Sequence, residues 1–216
     1  MPYSSAQLNR PQELFAELSP NRPVAYAARM TEVEDTALML RYQEGDLQAF
    51  ETLYRRHKDG LYRYLLRLSL SPEVAEDVFQ EAWSKIIAAR KRYRPTAQFN
   101  TYLYRVAHNS FIDYLRRNKR HEHAANDDPD SRPATSGEPD QHTERSLARR
   151  RMLIALDELP HEQRDTFLLH EESGLNLDAI AGVTGVSRET AKSRLRYAMN
   201  KLKAALADPG ACEETP

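Results

Sequence analysis

Three sets of side chains in this 216-residue chain have types and spacings that could do chemistry. In the first, Lys85, Arg90, Lys91, Arg92, Arg94, Arg105, Arg116, Arg117, Lys119 and Arg120 are interleaved with Tyr93, Phe99, Tyr102, Tyr104, Phe111 and Tyr114. Cations neutralise phosphates and aromatic rings stack on unpaired bases, so the mixture suits opened nucleic acid; a solvated basic helix face is the plainer alternative. Within it Arg105, Asn109, Asp113 and Arg116 recur at steps of four or three and share a helical face. The second set is acidic and amide-bearing. Asp77, Gln80, Glu81 and Ser84 lie on one side of a helix with no evident intrachain basic partner at helical spacing, a face fit for a positively charged protein partner. The third comprises Arg188, Glu189, Thr190, Lys192, Ser193, Arg194 and Arg196, where Lys or Arg could donate to guanine O6 and N7 and the others reach phosphates or base edges.

Net charge hides these sets. The chain carries 31 Lys+Arg against 32 Asp+Glu, a total of −1 that by itself speaks against a nucleic-acid partner. Laid out in order, residues 31–84 hold 6 basic and 11 acidic groups (−5), and 85–123 hold 10 and 2 (+8). Residues 124–144 hold 1 and 6 (−5), and 145–207 hold 11 and 8 (+3). Neutrality is thus a sum of segregated blocks. Enzymatic patterns are missing: no HExxH, GxSxG, GxxxxGK[ST] or GxGxxG occurs, and the adjacent Glu171 and Glu172 point to different sides of a helix. No catalytic residue, metal or cofactor is expected. The single Cys212 excludes a disulfide framework and a multi-cysteine metal site. With no membrane-length apolar run and no signal-peptide order, a cytoplasmic protein is expected.

The elements that must position these side chains read as all-α, in two small helical domains joined by a flexible acidic linker. Ala124–Thr143 has three Pro, one Gly and only Ala as an apolar type, a composition that cannot offset its ordering entropy. The organisation expected is an N-terminal extension at 1–30, a domain at 31–123, a linker at 124–144, a domain at 145–207 and a tail at 208–216. In the first domain Ala49, Phe50, Leu53, Tyr54, Leu61, Leu65 and Leu68 stripe a helix over 47–69 after a short leading one. Ser71-Pro72 supplies a cap and a first-turn proline for a helix burying Val74, Val78, Phe79, Trp83 (or Ala82) and Ile86. A third helix begins near Asn100-Thr101, with Asn100 as cap. In the second domain helices are expected over 149–159 and 161–170, then a short one capped by Asn176, a turn at Gly185 and a Ser187-capped helix whose core face is Ala191, Leu195, Met199, Leu202 and Leu206. A small residue, a turn glycine four on and a capped basic helix make a helix-turn-helix arrangement, whose second helix reads the major groove; many structural hairpins share the pattern.

Five segments, in order, carry a resemblance: GDLQAFETLYRRHKDGLYRYL (45–65), AEDVFQEAWSKI (75–86), FNTYLYRVAHNSFIDYLRRNKR (99–120), LDELPHEQRDTFLLHEESGLNLDAIAGVTGVS (156–187) and ETAKSRLRYAMNKL (189–202). Together they resemble the extracytoplasmic-function (ECF) type of bacterial RNA polymerase sigma factor. The resemblance implies that residues 35–120 correspond to the family's second region and 145–207 to its fourth. It implies that Asp77, Gln80, Glu81 and Ser84 bind the clamp helices of the polymerase largest subunit, with a further contact to the flap of the second-largest. Tyr102, Arg105, Asn109 and Asp113 would then face the opened −10 element, and Arg116, Arg117, Lys119 and Arg120 its phosphates. The Arg188–Arg196 set would read the −35 element as duplex. Tyr102 stands where relatives usually carry Trp, and Tyr197-Ala198 where they often carry an Arg-Ala pair. The expected partners are core polymerase, promoter DNA and an anti-sigma protein. An autonomous dimeric repressor or activator using the C-terminal motif, and an adaptor that binds polymerase without reading DNA, stay open as alternatives.

Overall fold

In the computed structural model, residues 33–124 and 144–207 are described; the expected N-terminal extension, most of the linker and the tail lie outside them. Among the described residues there are eight α-helices and no strand. The first four are α1 (Asp35–Glu44), α2 (Leu47–Ser69), α3 (Pro72–Ala88) and α4 (Phe99–Ala124), with a 3₁₀ turn at Arg90–Arg92 between the last two. The second four are α5 (Glu144–Asp157), α6 (His161–Glu171), α7 (Leu177–Thr184) and α8 (Arg188–Ala207). None of these helices is long and apolar enough to cross a membrane.

Local chemistry sets most of the boundaries. Gly45 closes α1 at φ 115°, and Asp46 opens α2 by accepting from the amides of Gln48 (3.0 Å) and Ala49 (3.1 Å). At the end of α2 the left-handed position falls on Leu70 (φ 59°), an uncommon place for a side chain with a Cβ. That sharp turn delivers Ser71 to cap α3 through the Val74 amide, with Pro72 at the first helical position. Asn176 caps α7 through Ala179 N (2.9 Å), Gly185 ends it at φ 71°, and Ser187 caps α8 through Thr190 N (3.1 Å). One expected cap is overturned. α4 begins at Phe99, which is buried, so Asn100 sits inside the first turn and its amide donates to the Ser173 carbonyl at 2.7 Å instead.

Each domain has an apolar interior. α2, α3 and α4 bring together Leu53, Leu61, Leu65, Leu68, Val78, Ala82, Ile86, Leu103 and Ala107, all essentially without solvent contact, with Leu38 and Met39 of α1 covering one end. Trp83 and Ala82 are both buried, so no choice between them is required. In the second domain Met152, Leu156, Leu159, Phe167, Leu168, Ile180, Val183, Ala191, Ala198 and Leu202 form the interior. Leu195, Met199 and Leu206 of the expected α8 stripe are half-buried, and Ala198 takes the central place the periodicity did not assign.

The two interiors do not face solvent between them. α6 packs on α2 and α7 on α4, so the domains dock against each other. α6 is consequently buried on all sides: Arg164, Asp165, Thr166, Phe167, Leu168 and Leu169 are consecutive buried residues. Phe167 and Leu168 serve the second domain's interior, whereas Asp165 accepts from Tyr64 of α2 and Arg164 donates to the Leu68 carbonyl.

Candidate nucleic-acid interface

α3 turns Asp77, Gln80 and Ser84 to solvent, because Val78, Ala82 and Ile86 fix its opposite side in the core. Glu81 differs from them. It is half-buried and holds Lys85 Nζ at 2.8 Å and Arg117 Nη2 at 2.8 Å, which corrects the expectation that this face has no intrachain basic partner. Lys85 stands one helical turn along the same helix, and Arg117 arrives from α4. Partial burial pulls the Glu81 carboxyl upward, but hydrogen bonds from Lys85 and Arg117 outweigh it and hold the group below the usual glutamate range. Gln80 donates to Glu76 at 2.7 Å along the exposed side.

The basic segment meets α3 through the same charges. Lys85 reaches Ser110 Oγ (3.0 Å) and Asp113 (3.5 Å), and Arg116 lies 3.7 Å from Asp113. The sets expected for a protein partner and for DNA are therefore contiguous, sharing Glu81, Lys85, Asp113 and Arg117. Arg105, Asn109, Arg116, Lys119 and Arg120 are exposed. Between the helices the loop from Arg90 to Gln98 is anchored by Gln43, whose amide donates to the carbonyls of Lys91 (3.0 Å) and Tyr93 (3.2 Å). Tyr93 is buried and meets Tyr102 edge-on at 5.1 Å, while Phe99 lies 6.2 Å from Tyr102. Tyr102 is thus half-buried in an aromatic nest, and burial raises its phenol above the usual tyrosine range.

On α8 the exposed face carries Arg188, Glu189, Thr190, Lys192 and Arg196, with Ser193 and Arg194 half-buried. Arg188 lies 3.1 Å from Asp178 of α7 and Thr190 Oγ1 is 2.9 Å from Ser187 Oγ, so both are tied into the turn between the two helices. Lys192 and Arg196 point outward one turn apart. Arg196 lies over the exposed Tyr197 ring, 5.2 Å from its centroid. Among the described residues no group of three or more His, Cys, Asp or Glu side chains converges as a metal site would need.

Sequence reasoning missed a fourth set, at the junction of the domains. Glu172 is salt-bridged to Arg63 and Arg67 of α2, its side chain only 1% exposed. Asp165 accepts from Tyr64 Oη at 2.7 Å and lies 2.9 Å from His108 Nδ1 of α4. Burial, then the charge of Asp165, pushes the Tyr64 phenol well above its usual range, so it stays a donor. Arg105 adds a contact on the same side, its guanidinium 3.3 Å from where a Cβ would stand on Gly182 of α7. No local pattern announces these pairs, since their members lie between 57 and 109 positions apart.

Comparison with known proteins agrees with this anatomy. Residues 53–121 match the family model of Sigma-70 region 2, and residues 155–204 that of Sigma-70 region 4. The RNA polymerase sigma factor CarQ of Myxococcus xanthus is 31% identical over 170 residues, 79% of this chain and 96% of that protein. The ECF RNA polymerase sigma factor SigE of Mycolicibacterium smegmatis is 32% identical over 162 residues, 74% of this chain and 63% of that protein. The structure of sigma factor RpoE with the anti-sigma factor NepR from Bartonella quintana superposes with a TM-score of 0.59 at 22% identity, covering 74% of this chain and 98% of that one. CnrH in complex with the cytosolic domain of CnrY gives 0.58 at 23%, covering 80% and 97%. At those identities the two structures speak for the fold alone. Two region models in the order of the two helical domains, with a relative above 30% identity matched over nearly its whole length, show that the chain belongs to the ECF-type RNA polymerase sigma factors, which direct promoter-specific transcription initiation.

Proposed function

We propose that the chain binds core polymerase through the exposed side of α3, engages the opened −10 element with α4 and reads the −35 element with α8. The observation that carries this is the separation of the chemistry by face. Asp77, Gln80 and Ser84 present acid, amide and hydroxyl groups to a partner, while Arg105, Asn109, Arg116, Lys119 and Arg120 stand exposed on the adjacent α4. A positive clamp surface complements the first face, and phosphates and unpaired bases complement the second. Arg117 and Asp113 serve the second face from a paired state, held by Glu81, Lys85 and Arg116.

On α8, Lys192 and Arg196 are the base-reading candidates. Arg188, Glu189, Thr190, Ser193 and Arg194 position the helix or contact the backbone of the duplex. Tyr102 contributes an aromatic wall beside the extruded bases rather than a free stacking ring, because Tyr93 and Phe99 already pack on it. Chemistry belongs to the polymerase, and the chain supplies specificity without acting as an enzyme. The sigma factor RpoE, which shares the fold, has been co-crystallised with the anti-sigma factor NepR, and this chain is expected to have an anti-sigma partner too.

Reconstituted transcription tests the reading. Core polymerase, genomic fragments and this chain should give transcripts from a defined promoter set that core polymerase alone does not produce. Asp77→Arg should abolish both core binding and the transcripts, whereas Lys192→Ala with Arg196→Ala should leave core binding intact and erase the preference for the −35 sequence. Transcripts that survive the α8 double substitution unchanged contradict the assignment.

A further inference from the structure

We propose that Gln43, in the last turn of α1, is a positioning residue for −10 recognition. Its amide fixes the backbone of the loop between α3 and α4, so that the exposed side chains of that loop meet the opened strand in one arrangement. This role deepens the reading above and rests on it.

The loop has little structure of its own. Beyond the 3₁₀ turn at Arg90–Arg92 it is irregular, and its local backbone bonds run from the amides of Arg92 (2.9 Å), Tyr93 (3.3 Å) and Thr96 (2.8 Å) to the carbonyls of Ala89, Arg90 and Arg94. α1 holds it from outside through two consecutive residues. The Arg90 guanidinium lies 5.0 Å from the centroid of the buried Tyr42 ring, and Gln43 Nε2 donates to the carbonyls of Lys91 at 3.0 Å and Tyr93 at 3.2 Å. The support is itself fixed, because the amides of Gly45 and Asp46 close the end of α1 on the carbonyls of Tyr42 and Arg41, each at 3.0 Å. Tyr93 in turn packs edge-on against Tyr102, 5.1 Å away, so the same hold steadies the aromatic wall at the start of α4. Past Tyr93 the side chains of Arg94, Thr96, Ala97 and Gln98 are all exposed.

The residue type matters here. A primary amide carries two N–H donors on one nitrogen and can serve two carbonyls at once, whereas a carboxylate of the same shape only accepts and would meet two carbonyl oxygens with like charge. A loop with so few bonds of its own spreads over several conformations once that donor is gone. The opened strand must then order the loop as it binds, and the cost of ordering comes out of affinity and out of discrimination between bases. Neither hydrogen bond of Gln43 involves the exposed side of α3 or any part of α8, so core binding and −35 reading are untouched by the loss.

Two measurements on the full chain test the role. In the free protein, amide exchange at Arg92, Tyr93 and Thr96 should be about tenfold faster in Gln43→Glu than in the wild type, with the helical signal and Trp83 emission unchanged. In complex with core polymerase, the wild type should bind a fluorescent single-stranded oligonucleotide carrying the −10 element of a promoter mapped by reconstituted transcription in preference to a scrambled one. Gln43→Glu should cut that preference about tenfold while leaving core affinity and protection of the −35 duplex as they are. Gln43→Lys, which restores a donor, should recover most of both effects. Gln43→Met, of similar length without donors, replaces Gln43→Glu if the latter does not fold, and loss of fold in both overturns the role, since Gln43 would then serve folding alone. Unchanged exchange, an unchanged preference, an equal loss on −10 and scrambled strands, or a Gln43→Lys no better than Gln43→Glu also overturns it. A wild-type complex that shows no preference overturns the functional reading beneath, and the exchange rates of the free chain distinguish that failure from a failure of Gln43.

Discussion

The interiors of the two domains are sealed from water, the junction between them only partly so, with the Arg63 side chain 30% exposed, and the two are built from different chemistry. Leu53, Leu61, Leu65, Val78 and Ile86 fill the first interior with no polar partner to satisfy, and Phe167, Leu168, Ile180 and Leu202 do the same for the second. At the junction, Asp165 accepts from Tyr64, Glu172 pairs with Arg63 and Arg67, Arg164 donates to the Leu68 carbonyl and Asn100 to that of Ser173, each across a domain boundary. Burying apolar area is non-directional and favours permanence. A buried ion pair gains little over its hydrated partners, but it tolerates only the matching arrangement. The contrast separates what keeps each domain folded from what keeps the two together.

Several substitutions would break or sharpen that contrast. The largest effect is expected in an interior: Leu53→Ala removes a side chain with no solvent exposure and should cost about 2–5 kcal/mol, seen as a lowered thermal midpoint with Trp83 fluorescence reporting loss of the first domain. A junction substitution should act elsewhere. Tyr64→Phe deletes the 2.7 Å bond to Asp165 and should weaken docking by about 1–3 kcal/mol, read as a larger separated population. Its effect on the midpoint of either domain should be small by comparison.

A change at neither place provides the control. Ser187→Ala removes the cap that accepts from Thr190 N and should cost about 1 kcal/mol in the second domain alone, leaving inter-domain distances as they are. The smallest effect is with pH. His161 stacks on Phe111 of the other domain, with Asp165, Glu162, Arg164 and His108 around it, and burial holds its ring below the usual histidine value despite the two carboxylates. The docked state thus favours the neutral ring. Its contribution is complete above the unfolded value of about 6.5 and is lost as pH falls from there toward the lowered one, so the separated fraction should rise below about pH 6.5. His161→Gln should flatten that part of the profile.

The interiors were legible in the sequence because they obey local rules. Leucines at three- and four-residue steps predict a helix at 47–69, and α2 runs over Leu47–Ser69. Ser71, Asn176 and Ser187 cap where they stand because their competitors for the following amides are only solvent. Asn100 does not cap because the helix already begins at Phe99, which leaves its amide inside the first turn and free to donate to the Ser173 carbonyl. The Glu81–Lys85 pair lies at ordinary helical spacing, which the expectation of an unpartnered face overlooks, and the Arg117 partner, 36 residues away, has no local signal. In α6 the periodic reading hides the junction altogether. Asp165 and Glu172 look like a solvated face until α2 and α4 are placed over them, and nothing within one helical turn indicates that Arg63, Arg67, Tyr64 and His108 will be there.

The central claim is that the domains can part without either one unfolding. Small-angle X-ray scattering of the wild type and of the Asp165→Asn, Glu172→Gln variant, paired with circular dichroism on the same samples, tests it most directly. The account predicts a radius of gyration larger by about 5 Å or more in the variant at unchanged helical signal, since a parted pair on a ~20-residue tether occupies more space than a docked one. An unchanged radius, or an increase that arrives only together with loss of helix, contradicts it.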